Sequence, residues 1–259
     1  MVSQRAFLAV SCLIFAASAT ATVVWCASMG NMGETPMVGG WMMSMAWMPM
    51  CGQTWLGAAT SFLGMWAVMM VAMMLPSLVP MLGRYRQAIG RAGKTRLGRL
   101  TVLVSLAYFL LWTAWGMVAF PLGAGLAELA LRQPEVARAV PIAAGLAVLL
   151  AGALQFTAWK ARHLACCREA PGCSGILPAD SGTALRHGLR LGLHCSYSCS
   201  GLMVILLVLG VMDLIVMALV TAAISFERLA PGGERVARTT GAVAVAAGLF
   251  LIAQAVASA

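Results

Sequence analysis

Apolar stretches recur along this chain, each near the roughly 20 residues an α-helix needs to cross a hydrocarbon core of about 30 Å, and nearly all charge lies between them. The runs are Ala6 to about Ala27, Trp55 to Leu82, Leu100 to about Leu122, Val140 to Trp159, about Leu189 to Phe226, and Thr240 to about Val256. The run from Leu189 is too long for one crossing and reads as a helical hairpin turning at Gly210-Val211-Met212-Asp213. The expected fold is therefore all-α, a polytopic transmembrane helical bundle of about seven spans in a lipid bilayer. Composition agrees: of 259 residues, 61% are hydrophobic and only 10% charged, against roughly 25% in soluble domains. Residues 1–27 have a second reading, because Arg5 and the small residues Ala17-Ser18-Ala19 suit a cleaved signal peptide, which would leave about six spans. The apolar run continues to Trp25, and this favours a first transmembrane helix or signal anchor.

All but two of the 17 Lys and Arg residues fall at Arg5, in loops expected at 83–99 and 160–190, or between Arg228 and Arg238; the exceptions are Arg132 and Arg138. The positive-inside rule puts those loops in the cytoplasm of a bacterial inner membrane, with the N terminus inside and the C terminus outside. Residues 28–54 then form a non-cytoplasmic loop and residues 55–259 a six-span membrane domain. The formal net charge of +9 does not point to nucleic acid, since no basic run is interleaved with exposed aromatics. Walker, GxSxG, HExxH and Rossmann patterns are absent, so nothing supports ATP-driven transport or the common hydrolases, and no catalytic role is expected.

Polar side chains inside a span are expensive and mark function. Cys195, Cys199 and Met203 recur every four residues on one helix face, with His194 beside them. Thiolates and thioethers together favour Cu(I) over harder divalent ions. Met65, Met69 and Met73 form a second stripe, and the depth of each helix sets Met73 and Met69 level with Cys195 and Cys199, and Met65 near Met203. Pro76 and Pro80 are expected to distort that helix. No lysine or arginine is expected beside the buried thiols, Arg190 and His194 being the nearest candidates for charge compensation. Secondary metal candidates are His163, Cys166, Cys167 and Cys173 in the expected 160–190 loop, together with His187, and Met42, Met43, Met45, Met48 and Cys51 in the methionine-rich loop. The competing reading makes these sulfur residues apolar filling.

Several stretches resemble one bacterial family: Met65-Trp66-Ala67-Val68-Met69-Met70-Val71-Ala72-Met73-Met74-Leu75-Pro76, Gln155-Phe156-Thr157 to Cys166, Arg186-His187-Gly188 leading to His194-Cys195 and Cys199, Val208 to Leu214, and Glu227-Arg228. These are similar to the predicted metal-binding integral membrane proteins, some linked to copper delivery to tyrosinase-type oxidases. The resemblance covers roughly residues 55–245 and implies copper as cargo and an extracytoplasmic copper enzyme as client. Where relatives often read Cys-Leu-Gly-Cys-Cys, this chain has His194-Cys195-Ser196-Tyr197-Ser198-Cys199, one adjacent thiol fewer. Two further functions compete with copper handling: a membrane thiol oxidoreductase or redox sensor, and a structural or assembly subunit without metal. The charge distribution predicts that reporter fusions at Arg91 and at Ser181 both register the cytoplasmic side; an external signal from either would overturn the topology.

Overall fold

The computed structural model describes residues 2–30, 35–49, 52–89, 94–168 and 179–257. Among them the chain forms eight α-helices: α1 (Val2–Gly30), α2 (Trp55–Ala88), α3 (Lys94–Arg132), α4 (Pro134–Leu154), α5 (Ala158–Arg168), α6 (Ser181–Leu209), α7 (Leu214–Leu229) and α8 (Gly233–Ala257). Helices α1, α2, α3, α4, α6 and α8 are long and apolar enough to cross a bilayer, which marks a multi-pass membrane protein. The turn forms as expected, but of the two arms only α6 is among these six helices. Gly210 adopts a φ of 139°, a conformation that favours glycine, and the Asp213 carboxylate caps α7 by accepting from the backbone N–H groups of Ile215 and Val216 at 2.8 and 3.0 Å. Its second arm, α7, has only 16 residues and so rises roughly 24 Å, short of a full crossing.

The connections are more helical than the sequence suggests. Helix α2 runs unbroken through Pro76 and Pro80 to Ala88, so no separate segment follows either proline, and α3 resumes at Lys94. Most of the loop expected at 83–99 is therefore helix. On the opposite side, α3 continues past Pro121 and Gly123 to Arg132, and only Gln133 separates it from α4. The charged residues there pair along the helices, Arg132 with Glu128 at 2.7 Å and Arg138 with Glu135 at 3.0 Å. The fourth span ends at Leu154 rather than Trp159. Gln155 to Thr157 make a tight turn, and the Thr157 hydroxyl accepts from the Lys160 N–H at 3.3 Å at the start of α5, which folds against α6 and α7. The expected loop 160–190 thus contains α5 and the first turns of α6.

Residues 35–49 form a cap on one end of the bundle. A two-residue antiparallel ladder pairs β1 (Thr35–Pro36) with β2 (Met42–Met43), and a 3-10 turn follows over Met45–Trp47. Tryptophans anchor it: the Trp41 indole N–H donates to the Ala137 carbonyl at 2.9 Å, and the Trp47 ring packs 5.2 Å from Phe62. The cap therefore rests on α2, α3 and α4.

Helices α2 and α6 are the most buried of the long helices, while α1, α3, α4 and α8 turn large apolar side chains such as Leu13, Leu110, Leu150 and Phe250 outward. Lipid is as apolar as leucine, so helices in a bilayer associate through close packing of small residues. The α4–α8 pair does this. A Cβ on Gly248 would lie 2.6 Å from the Leu149 backbone nitrogen, and one on Gly152 would lie 2.7 Å from that of Val245. Gly248→Val should accordingly lower the unfolding midpoint in detergent by an overpacking cost of about 1–3 kcal/mol. Gly64→Ala meets nothing nearer than the Trp25 ring at 3.8 Å and should leave the midpoint unchanged. Equal midpoints for Gly248→Val and the parent chain would show that α4 and α8 do not need this approach.

Candidate metal site

Cys195 lies at the convergence of four helices. Its sulfur is fully buried on α6, 2.7 Å from the Tyr108 hydroxyl of α3, where either group can donate. From α7, Arg228 Nη2 donates to the same sulfur at 2.9 Å, to the Cys195 carbonyl at 3.2 Å and to the Ser198 hydroxyl at 3.1 Å. Arg228 Nη1 donates to the Ser77 hydroxyl of α2 at 3.2 Å. One guanidinium thus ties α2, α6 and α7 to the atom most suited to bind a soft metal. Cys199, one turn further along α6, donates its thiol proton to the Cys195 carbonyl at 3.0 Å.

This arrangement corrects two expectations. Arg228 was assigned with Glu227 to a polar connection, but both belong to the last turn of α7 and are buried. A cation does sit beside the thiol pair; it is Arg228, whereas Arg190 is exposed. A planar guanidinium with five donors suits such a position better than lysine, because it can serve several acceptors at once. Glu227 is engaged next door, accepting from Lys160 Nζ at 2.7 Å and from Gln155 Nε2 at 3.2 Å. Lys160 and Arg228 are therefore internal charges and not the exposed topology signals assumed for them.

The sulfur stripe of α2 reaches this region. Met65, Met69 and Met73 are buried in the same core cluster as Cys195, Cys199 and Met203. Ser77 of α2 and Cys195 of α6 share one guanidinium, which links the stripe's helix to the thiol pair.

The other candidates separate. His194 is half-buried, its Nδ1 3.2 Å from Nδ1 of His163 on α5, with the Trp159 and Tyr197 rings beside His163. Cys166 points outward, while Cys167 is buried, 3.9 Å from the Ser198 hydroxyl. Burial pushes the Cys167 thiol up to about 11, the nearby Arg228 charge offsetting only part of the desolvation, so it stays protonated at neutral pH. His187 stacks on Tyr85 at 5.1 Å. Met42 is exposed, Met43 buried, and Met45 and Met48 half-buried in the cap. Cys51 and Cys173 lie outside the described residues. Among the described residues, no three of His, Cys, Asp and Glu stand close enough to hold a metal by themselves, so a site here needs thioethers or a two-thiol geometry.

Residues 63–251 match a family model described as PpoB2, copper chaperone. The chain belongs to this family. No curated protein and no solved structure matches it. The match runs from within α2 into α8, so Ser77, Tyr108, Cys195, Cys199 and Arg228 of this PpoB2-family chain all fall inside it, whereas α1 and the cap precede it. Tyr108 and Ser77 carried one sequence signal, a hydroxyl inside an apolar run; Gln155 and Glu227-Arg228 carried another, as part of the stretches that resemble the metal-binding family.

The Lys160–Glu227 pair yields a test of this architecture. Removing one partner of a buried ion pair strands the other charge, at about 3–5 kcal/mol. Glu227→Gln should therefore lower the unfolding midpoint of this PpoB2-family chain sharply, and adding Lys160→Met should recover much of the loss. Glu128→Gln, at an exposed pair, should change it by less than about 1 kcal/mol. No recovery in the double variant would mean that the pair is not isolated from water as described.

Proposed function

We propose that this copper chaperone family member binds Cu(I) within the membrane and passes it to a copper enzyme outside the cytoplasm, with Cys195 and Cys199 as its thiolate ligands. The observation that carries this reading is the pairing of the Cys195 sulfur with Arg228 at 2.9 Å, in the same buried core as a run of methionines. A thiolate there has a fixed counter-charge, and the sulfur retains lone pairs for a metal. Groups that hydrogen-bond a ligand orient it and tune its affinity, and Arg228, Tyr108 and Ser198 are arranged to act in that way. Met203 from α6 and Met73 or Met69 from α2 supply thioethers in the same buried core as Cys199, and such soft donors suit Cu(I). His194 stands apart from them, paired with His163, as a separate imidazole station on the α5 side. In this reading the basic end of the bundle faces the cytoplasm of a bacterial inner membrane and the cap faces outward, and copper is cargo with no catalytic step attached.

A thiol-redox role is favoured by one of the same contacts, because a guanidinium and a phenol hydroxyl on one sulfur also suit a reactive cysteine. Metal analysis separates the two. Purified chain should retain Cu(I) against a chelator. Outer partners of a metal ligand are worth about 10-fold in affinity, so Cys195→Ser or Cys199→Ser should cost more than that, with Cys12→Ser neutral. Undiminished retention by the Cys195→Ser, Cys199→Ser double variant would end the proposal for this pair and move attention to His163 and His194.

A further inference from the structure

At the cap end, a cavity of about 210 Å³ opens between the cap, α1, α2 and the α6–α7 turn. Four methionines from three separated parts of the chain line it: Met45 and Met48 from the cap, Met65 from α2 and Met212 from the turn. Trp25 and Phe62 contribute aromatic wall. The buried Cys26 thiol of α1 lies 4.0 Å from the Met212 sulfur, adding a fifth sulfur behind the lining.

These methionines differ from those deeper in the bundle. Met69, Met70 and Met74 have essentially no exposed surface and fill close-packed core, which is the ordinary use of the side chain. Met45 and Met48 are only half-buried and, with Met65 and Met212, border open space. Ser28, Gln53 and Ser61 also line the cavity and can hold water there, so what sets it apart is four thioethers gathered at one opening. Thioethers are uncharged and soft, so a ring of them offers little to hard cations or to protons and much to a monovalent soft ion. Because Met lacks a proton to lose, the cavity can accept and release such an ion without a titration step.

We infer that the cavity lined by Met45, Met48, Met65 and Met212 is a second, exchangeable Cu(I) site, the point at which the metal enters before it moves to the deeper thiols. This inference rests on the copper-handling reading above and adds a location to it. Met65 belongs to both, as a wall of the cavity and as the first member of the stripe continuing through Met69 and Met73 toward Cys199. Met65 and Met212 fall inside the part of the chain that matches the family, and Met45 and Met48 precede it.

The test uses the full-length chain in detergent with Cu(I) as the probe, in a Cys195→Ser, Cys199→Ser background that removes the deep pair. That background should still bind Cu(I), with an X-ray absorption signature of thioether sulfur. Replacing Met45, Met48 and Met212 by Leu keeps volume and apolarity nearly constant and should weaken the remaining binding by more than about 10-fold. Met42→Leu, on an exposed side chain away from the lining, should not. The same triple Leu replacement in the parent chain should slow copper loading at limiting metal while leaving the final copper content intact. Two results would overturn the inference and spare the proposed function: a double-Ser background with no Cu(I) beside a parent chain that binds it, or residual Cu(I) indifferent to the Leu replacements. A parent chain that binds no Cu(I) at all would overturn both. Unchanged helical circular dichroism in each variant establishes that the comparison is between folded proteins.

Discussion

A buried arginine is the constraint from which the centre of this bundle follows. Arg228 cannot sit among apolar side chains unless its N–H groups find acceptors, and it finds them on two other helices: the Ser77 hydroxyl on α2, and the sulfur, carbonyl and Ser198 hydroxyl around Cys195 on α6. Each acceptor has to be at the right height. The guanidinium therefore sets the register of α2 against α6 although these helices pack chiefly on other partners, α2 on α1, α3 and α7, and α6 on α3, α4 and α5. Tyr108 closes the fourth side from α3. A second polar set, the charged Lys160 and Glu227 with the neutral Gln155, ties α5 and the end of α4 to the same turn of α7. Polar contacts of this kind specify which faces meet in a way that leucine against lipid cannot.

The helices themselves were legible from the sequence because the signal that makes them is local. An apolar run of sufficient length has few alternatives in a bilayer, and Gly210 with Asp213 announces a turn in residue types whose conformations and capping chemistry are known. What failed to read were the ends. The third run was expected to end near Leu122, yet α3 passes Pro121 and Gly123, since a proline is tolerated where neighbouring groups take up the freed carbonyls. Pro76 and Pro80 likewise lie within one continuous helix, α2. Helix α5 was invisible as a separate element because its apolar and polar residues show no strong stripe, and only the fold reveals that Leu164 and Cys167 turn inward while Cys166 turns out.

The candidate site was half legible for a related reason. Cys195, Cys199 and Met203 stand out because sulfur at four-residue spacing within a span is conspicuous, and the Met65, Met69 and Met73 stripe is equally so. Arg228 was misread because arginine in a membrane protein is first evidence of topology, and its position at the edge of an apolar run suited that use. Burial inverts its meaning. The same holds for Lys160, and for His163 and His194, which belong to segments that looked unrelated and meet only because the turn at Gln155 folds α5 back on α6.

Charge balance links the buried arginine to the metal the site is proposed to carry. Within this part of the bundle Lys160 and Glu227 neutralise one another, leaving the guanidinium of Arg228 against thiols and hydroxyls. A single thiolate at Cys195 makes the pair neutral, which is the cheapest state in a low-dielectric interior. If Cys199 also ionises as it takes up the metal, a monovalent ion restores neutrality, whereas a divalent ion leaves one uncompensated positive charge. Selectivity for Cu(I) over Zn(II) or Cu(II) would then come from two independent sources, the softness of sulfur and the charge already supplied by Arg228. Release follows from the same balance. In that proposal, return of the second thiol's proton would make the bound monovalent ion the excess charge, and the thioethers of Met203 and the α2 stripe would offer it soft, uncharged donors in the same core.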